Sequence, residues 1–118
     1  MIHHVGLEVS GHDAAALARF FELLGFVAVD PPPTVEDSLW LEREGTQLHL
    51  LVVAEATAPL EGHVAVVCED YDEALARLRT AGFEPEPRRE HWGAPRSFVR
   101  APGGHRVELM AAPPTARR

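Results

Sequence analysis

From Ile2 to Val9 apolar residues, several of them β-branched, recur at alternate positions, the period-two signature of a strand. Neighbouring residues on a strand face opposite ways, so His3 and His4 are expected on opposite faces. Between Asp13 and Leu24 the period lengthens: Ala16, Leu17, Phe20, Phe21 and Leu24 form one apolar helical stripe, and Gly25 supplies the stop. Phe26–Val29 reads as a short strand. The run Pro31-Pro32-Pro33 lacks ladder donors and must be a loop. Two further strands, Ser38–Glu42 and Gln47–Val53, flank the turn Glu44-Gly45. Ala54–Glu61, interrupted by Pro59, reads as a linker.

The order then begins again. Gly62–Cys68 is strand-like, and Asp70 with Glu73 suggests a capping box ahead of a helix at Glu73–Ala81, ended by Gly82. Phe83–Pro87 is extended, and Arg88–Pro95 is a loop. The strands Ser97–Arg100 and His105–Met110 flank the turn Pro102-Gly103-Gly104, and the tail from Pro113 is expected to fray. The run His4–Val9 aligns with His63–Cys68 at an offset of 59 residues, Gly25-Phe26 with Gly82-Phe83 at 57, and His49 with Glu108 at 59 again. The chain is therefore read as one α+β domain, 1–118, with two βαβββ modules at 1–54 and 62–112, a linker at 55–61 and a tail at 113–118. Each module would carry its helix on one sheet face and leave the other wet. Pairing the sheets edge to edge predicts a half-closed mixed-sheet barrel with a concave face for a ligand.

With 46% hydrophobic and 25% charged residues in 118, the chain has the balance of a globular domain. No apolar run approaches the roughly 20 residues that span a bilayer, and Met-Ile-His-His does not resemble a secretory leader, so no membrane partner and a cytoplasmic location are expected. The single Cys68, within an apolar run, reads as a buried thiol. A net charge of −7 disfavours nucleic acid as a partner. Arg88, Arg89, Arg96, Arg100 and Arg106 do gather in the last third. They form either a solvated face or a rim that binds a carboxylate or phosphate.

The repeat places metal-binding residue types at two equivalent positions: His4 and His63 early in the first strands, His49 and Glu108 within the last. Side chains on neighbouring strands of an antiparallel sheet can converge on one face, so each module could offer two ligands. Three imidazoles and one carboxylate suit Zn²⁺, Ni²⁺, Co²⁺, Fe²⁺ or Mn²⁺, and the lack of thiolates argues against a closed structural zinc site. A lone strand histidine is more often simply hydrogen-bonded, which is the reading for His3, His12 and His105. His91-Trp92 is either an exposed loop or a lid carrying a proton shuttle or stacking residue.

Ile2–Leu7 followed by Phe20–Phe26, together with the ending Arg100-Ala101-Pro102-Gly103-Gly104-His105-Arg106-Val107-Glu108-Leu109, resembles the vicinal oxygen chelate superfamily. That superfamily takes in glyoxalase I, extradiol dioxygenases, methylmalonyl-CoA epimerase, fosfomycin-resistance transferases and bleomycin-binding proteins. The resemblance implies a glyoxalase-like fold and one divalent metal per site on His4, His49, His63 and Glu108. It also implies a homodimer and a small-molecule substrate whose two adjacent oxygens chelate the metal. Glu108 is then both ligand and candidate catalytic base, with Trp40, His91, Trp92, Arg96 and Phe98 as candidate pocket residues. The match is not to one activity. Glyoxalase I typically has Glu, and the epimerase Gln, where His49 stands. The dioxygenases use three of the positions, and the fosfomycin enzymes have Thr and Tyr in place of Gly6 and Phe98. A lyase or isomerase is favoured over a dioxygenase. The competing class is a metal-free, bleomycin-type drug binder, for which Trp40, Trp92 and the negative charge would serve.

Overall fold

The computed structural model describes residues 1–35 and 38–115. These fall into two compact units: Met1–Ala58 with the turn Pro102–Gly104, and Pro59–Ala101 with the remainder of the chain.

In the first unit β1 is His4–Val9, α1 is Ala14–Glu22, β2 is Val27–Val29, β3 is Leu39–Arg43 and β4 is Thr46–Val52. A single turn of 3-10 helix, Pro33–Val35, lies in the proline loop. The sheet order is β1-β4-β3-β2. β2, β3 and β4 form an antiparallel meander, and β1 joins β4 in parallel. The antiparallel neighbours expected for the ligand strands are therefore corrected: a first strand followed by a crossover helix returns beside the last strand in the same direction. Glu44 and Gly45, at φ 49 and φ 82, make the tight β3–β4 turn. Gly25, at φ 91, ends the helical run as anticipated. The stripe of α1 buries Leu17, Phe20 and Phe21. It packs on β2, β3 and β4, whose Leu41, Leu48 and Leu50 are also buried.

The second unit repeats the plan. β5 is His63–Val67, α2 Tyr71–Thr80, β6 Glu86–Pro87, β7 Arg96–Arg100 and β8 Arg106–Met110, in the order β5-β8-β7-β6 with β5 parallel to β8. Pro87 sits in the edge strand, where a missing donor is tolerated. Tyr71 of α2 shares a hydrogen bond with buried Ser97 of β7, on the sheet face that also carries Val99, Val107 and Leu109. α2 begins at Tyr71, so Asp70 holds the expected N-cap place, but no side-chain cap forms. The Asp70 carboxylate instead meets Arg77 at 2.9 Å, one charge pair replacing the capping box.

Among the described residues the strands form two separate four-stranded sheets. Of the tail, 113–115 is irregular, and residues 116–118 lie outside the described residues. No described helix is long and apolar enough to cross a membrane.

Leu50 and Leu109 stand at repeat-equivalent places, both fully buried. Leu50→Ala and Leu109→Ala should each lower stability by about 2–5 kcal/mol. Urea unfolding reads this as a lower midpoint with little change in slope; a cost below about 1 kcal/mol for either would contradict the assigned core.

Candidate active site

The register of β1 on β4 pairs His4 with Gln47 and Gly6 with His49. His4 and His49 therefore lie on one face, two rungs apart, on the side that α1 does not cover. Their ring centroids are 6.2 Å apart. Trp40, directly opposite His49 on β3, stacks on it with centroids 4.2 Å apart and planes 20° from parallel. The His4 ring lies 5.2 Å from Trp40. The Trp40 indole N–H donates to Ser38 Oγ at 2.9 Å, so its own polar atom is satisfied. His49 Nε2 is different: it is buried and, among the described residues, has no hydrogen-bond partner. Burial, and next the charge of His4, hold the His49 pKa below its ordinary value. The neutral imidazole is the form that ligates metals. Beside His49 opens a largely apolar cavity of about 400 Å³ walled by Pro33, Val35, Leu51 and Val53.

The second unit places the same positions in the same register, His63 opposite Arg106 and Ala65 opposite Glu108. His63 Nδ1 lies 2.8 Å from the Glu61 carbonyl, which can only accept, so Nδ1 carries the proton. His63 Nε2 lies 3.1 Å from Glu108 Oε1. Arg96 Nη1 donates to the other oxygen, Oε2, at 3.1 Å. Arg96 is itself held by its Nε–H on the Arg89 carbonyl at 2.8 Å. Phe98, opposite Glu108 on β7, meets His63 edge-on at 4.8 Å. An aromatic thus faces the second donor of each module, Trp40 against His49 and Phe98 against Glu108.

With Nδ1–H committed to a carbonyl, a neutral His63 turns its Nε2 lone pair toward a carboxylate oxygen. A cation between the two satisfies both. Two atoms bound cis to one ion at metal-ligand distance lie roughly 3.0–3.4 Å apart, and a ligating histidine commonly donates its other N–H to a carbonyl. The His63–Glu108 pair fits both conditions, and the unsatisfied Nε2 of His49 fits a ligand role in the other module. Among the described residues, however, no group of three or more His, Cys, Asp or Glu side chains is gathered where it could hold a metal ion. The four expected ligands stand as two pairs.

Of the pocket residues, Trp40, Arg96 and Phe98 touch these pairs. Trp92 and His91 do not: Trp92 Nε1–H is tied to the Ala112 carbonyl at 2.8 Å, and exposed His91 has its ring 6.3 Å from Trp92. His3, expected to face away from His4, lies beside it, with Nδ1 atoms 3.0 Å apart. It stands ahead of β1, where strand alternation no longer governs its side chain. His12 is exposed. His105 is buried, and its carbonyl accepts from Ala101 N–H. Arg106, one of the five arginines that the sequence offered as a solvated face or an anion-binding rim, has its guanidinium 4.3 Å from the Phe98 ring centroid. It stands two places before Glu108, so strand alternation puts both on one face of β8.

The sequence profile of the glyoxalase/bleomycin resistance protein/dioxygenase superfamily matches residues 1–109. The chain belongs to that superfamily. Members commonly bind divalent metals and act on small molecules. No curated protein is a significant sequence match. Among solved structures, a glyoxalase family protein from Bacillus anthracis superposes with a TM-score of 0.82 at 23% identity, covering 93% of each chain. The glyoxalase family protein from Enterococcus faecalis gives 0.71 at 27%, covering 93% of this chain and 96% of that one. Lactoylglutathione lyase from Agrobacterium tumefaciens gives 0.70 at 20%, with 93% and 92% covered.

In the metal-free chain the His49 imidazole should titrate below its ordinary value of 6.5. Stability carried by neutral His49 is complete above that pH and declines as pH falls toward the depressed midpoint. NMR titration of the histidine rings checks this, and His4→Ala should move the midpoint upward. A His49 midpoint at or above the ordinary value would contradict the environment described.

Proposed function

We propose that this chain is a metal-dependent enzyme acting on a small molecule with two adjacent oxygens, a lyase or isomerase in preference to a dioxygenase. One divalent cation would be held by His4, His49, His63 and Glu108. The observation that carries the reading is the His63–Glu108 pair: a histidine locked with its free nitrogen 3.1 Å from a carboxylate oxygen, in a register the first module repeats with His4 and His49. The use of four positions, where the dioxygenases use three, favours the lyase or isomerase.

When bound, the cation would supply Lewis-acid stabilisation of negative charge developing on a chelated substrate oxygen. The chain's own residues prepare the rest. Arg96 occupies Glu108 Oε2, so Oε1 is the oxygen left to hold a cation with His63, and Glu108 would have to release that oxygen to take a proton from the substrate and return it. The Glu61 carbonyl fixes the His63 ring so that Nε2, not Nδ1, faces Glu108. Trp40 and Phe98 provide aromatic walls beside the two donor pairs, and the apolar cavity next to His49 offers room for the substrate's body. We extend the same reading to a cytoplasmic homodimer.

The stacked Trp40 and the apolar cavity also favour a second reading, a metal-free binder of an aromatic drug. Elemental analysis of protein purified without added metal separates the two. We expect bound divalent metal, reduced by about tenfold or more in affinity by His63→Ala. Glu108→Gln should lower turnover by on the order of 10²–10⁴. Substoichiometric metal with no gain on reconstitution would favour the binder.

A further inference from the structure

The uncovered face of the second sheet carries a concentration of positive charge, of which the metal-site reading uses Arg96 alone. Three guanidinium groups surround Phe98: Arg106 at 4.3 Å from the ring centroid, Arg96 at 5.5 Å and Arg88 at 5.6 Å. Two are matched by carboxylates. Arg96 meets Glu108 at 3.1 Å, and Arg88 meets Glu86 at 3.2 Å, where both side chains are largely exposed. Arg106 is not: among the described residues no carboxylate lies within ion-pair distance of it. This happens in a chain with 18 acidic residues against 11 basic ones, so carboxylates are in surplus elsewhere.

Phe98, Arg88, Arg100 and Arg106 line a cavity of about 360 Å³, with Glu84 and Glu86 also on its wall. That volume is at the small end of ligand sites. A guanidinium seated on an aromatic face is held in orientation by the ring, and its in-plane N–H groups remain available for two parallel hydrogen bonds to an oxyanion. Exposed Glu84 and Glu86 oppose an anion, but Glu86 is already spent on Arg88. Arg106 is also the ladder partner of His63, and Phe98 is the ladder partner of Glu108. Phe98, the seat of Arg106, also meets His63 edge-on at 4.8 Å, so the anion site and the His63–Glu108 pair share one sheet face.

We propose that Arg106, seated on Phe98 and supported by Arg88, is an anion-recognition site that takes the carboxylate or phosphate group of a small-molecule ligand. That this ligand is the substrate rests on the enzyme reading above; the binding of the anion does not, because it needs no metal.

The test uses the full-length chain, freed of metal, titrated calorimetrically with inorganic phosphate and separately with benzoate at ionic strength held constant by sodium chloride. Saturable binding of at least one anion is expected, and the tighter of the two names the preferred group. Arg106→Gln should weaken it by about tenfold or more, whereas Arg89→Gln, outside the cavity, should change it less than twofold. If Arg106→Gln does not fold, Phe98→Leu, which removes the seat of the guanidinium, should weaken binding by about two- to fivefold. No saturable binding of either anion, or binding indifferent to these substitutions at position 106 or 98, would overturn the proposal. His4→Ala separates the two readings. It removes a proposed metal ligand from the first sheet and should leave anion binding intact; its loss would overturn the assignment to the second sheet. A chain that binds the anion but no metal would sink the metal reading alone.

Discussion

The parallel pairing of the first and last strands within each module is the constraint on which the site depends. β1 lies along β4, and β5 along β8, in one shared register. Side chains on a strand alternate between faces, so this register puts His4 with His49, and His63 with Glu108, on the face away from the helix. A slip of one residue in either pairing would send one donor of each pair under the helix and expose core residues such as Leu50 or Leu109. Burial of those leucines therefore holds the polar face in place, and the chemistry is positioned by the hydrophobic core on the other side of the sheet.

The two modules use one geometry for different electrostatics. In the first, the donors are imidazoles, one stacked on Trp40 with a buried nitrogen left unsatisfied and its protonation disfavoured. In the second, a buried carboxylate is shared between a histidine and an arginine, with Phe98 where Trp40 stood. The rung ahead has diverged as well. Gln47 donates a side-chain N–H to the Glu42 carboxylate, whereas Arg106 brings a positive charge onto Phe98. Matching rungs of the two repeats thus carry imidazoles in one half and a carboxylate flanked by arginines in the other.

Much of this was legible along the chain. The helical stripe Leu17, Phe20, Phe21 and the strand alternation around Leu48 and Leu50 are local signals, because burying one face imposes its period on the residues themselves. The repeat was legible for the same reason. The direction of β1 against β4 was not, since pairing between strands about 40 residues apart leaves no local mark beyond the crossover that permits it. Nor was the fate of Asp70: its type announces a cap, but a nearby Arg77 offered the carboxylate a different partner. His3 shows the same limit, because alternation holds only as far as the strand that enforces it.

By itself the amino-acid sequence determined the doubled βαβββ plan, the superfamily and the residue types at the four matching positions. These follow from period, repeat and motif, all properties of short stretches. Only the tertiary structure decided what each donor touches: His49 against Trp40 with, among the described residues, no partner for Nε2, Glu108 between His63 and Arg96, and Arg106 on Phe98 with no acid among the described residues. Such partnerships depend on cross-strand register and on packing between distant segments, where a shift of a few ångströms exchanges one partner for another.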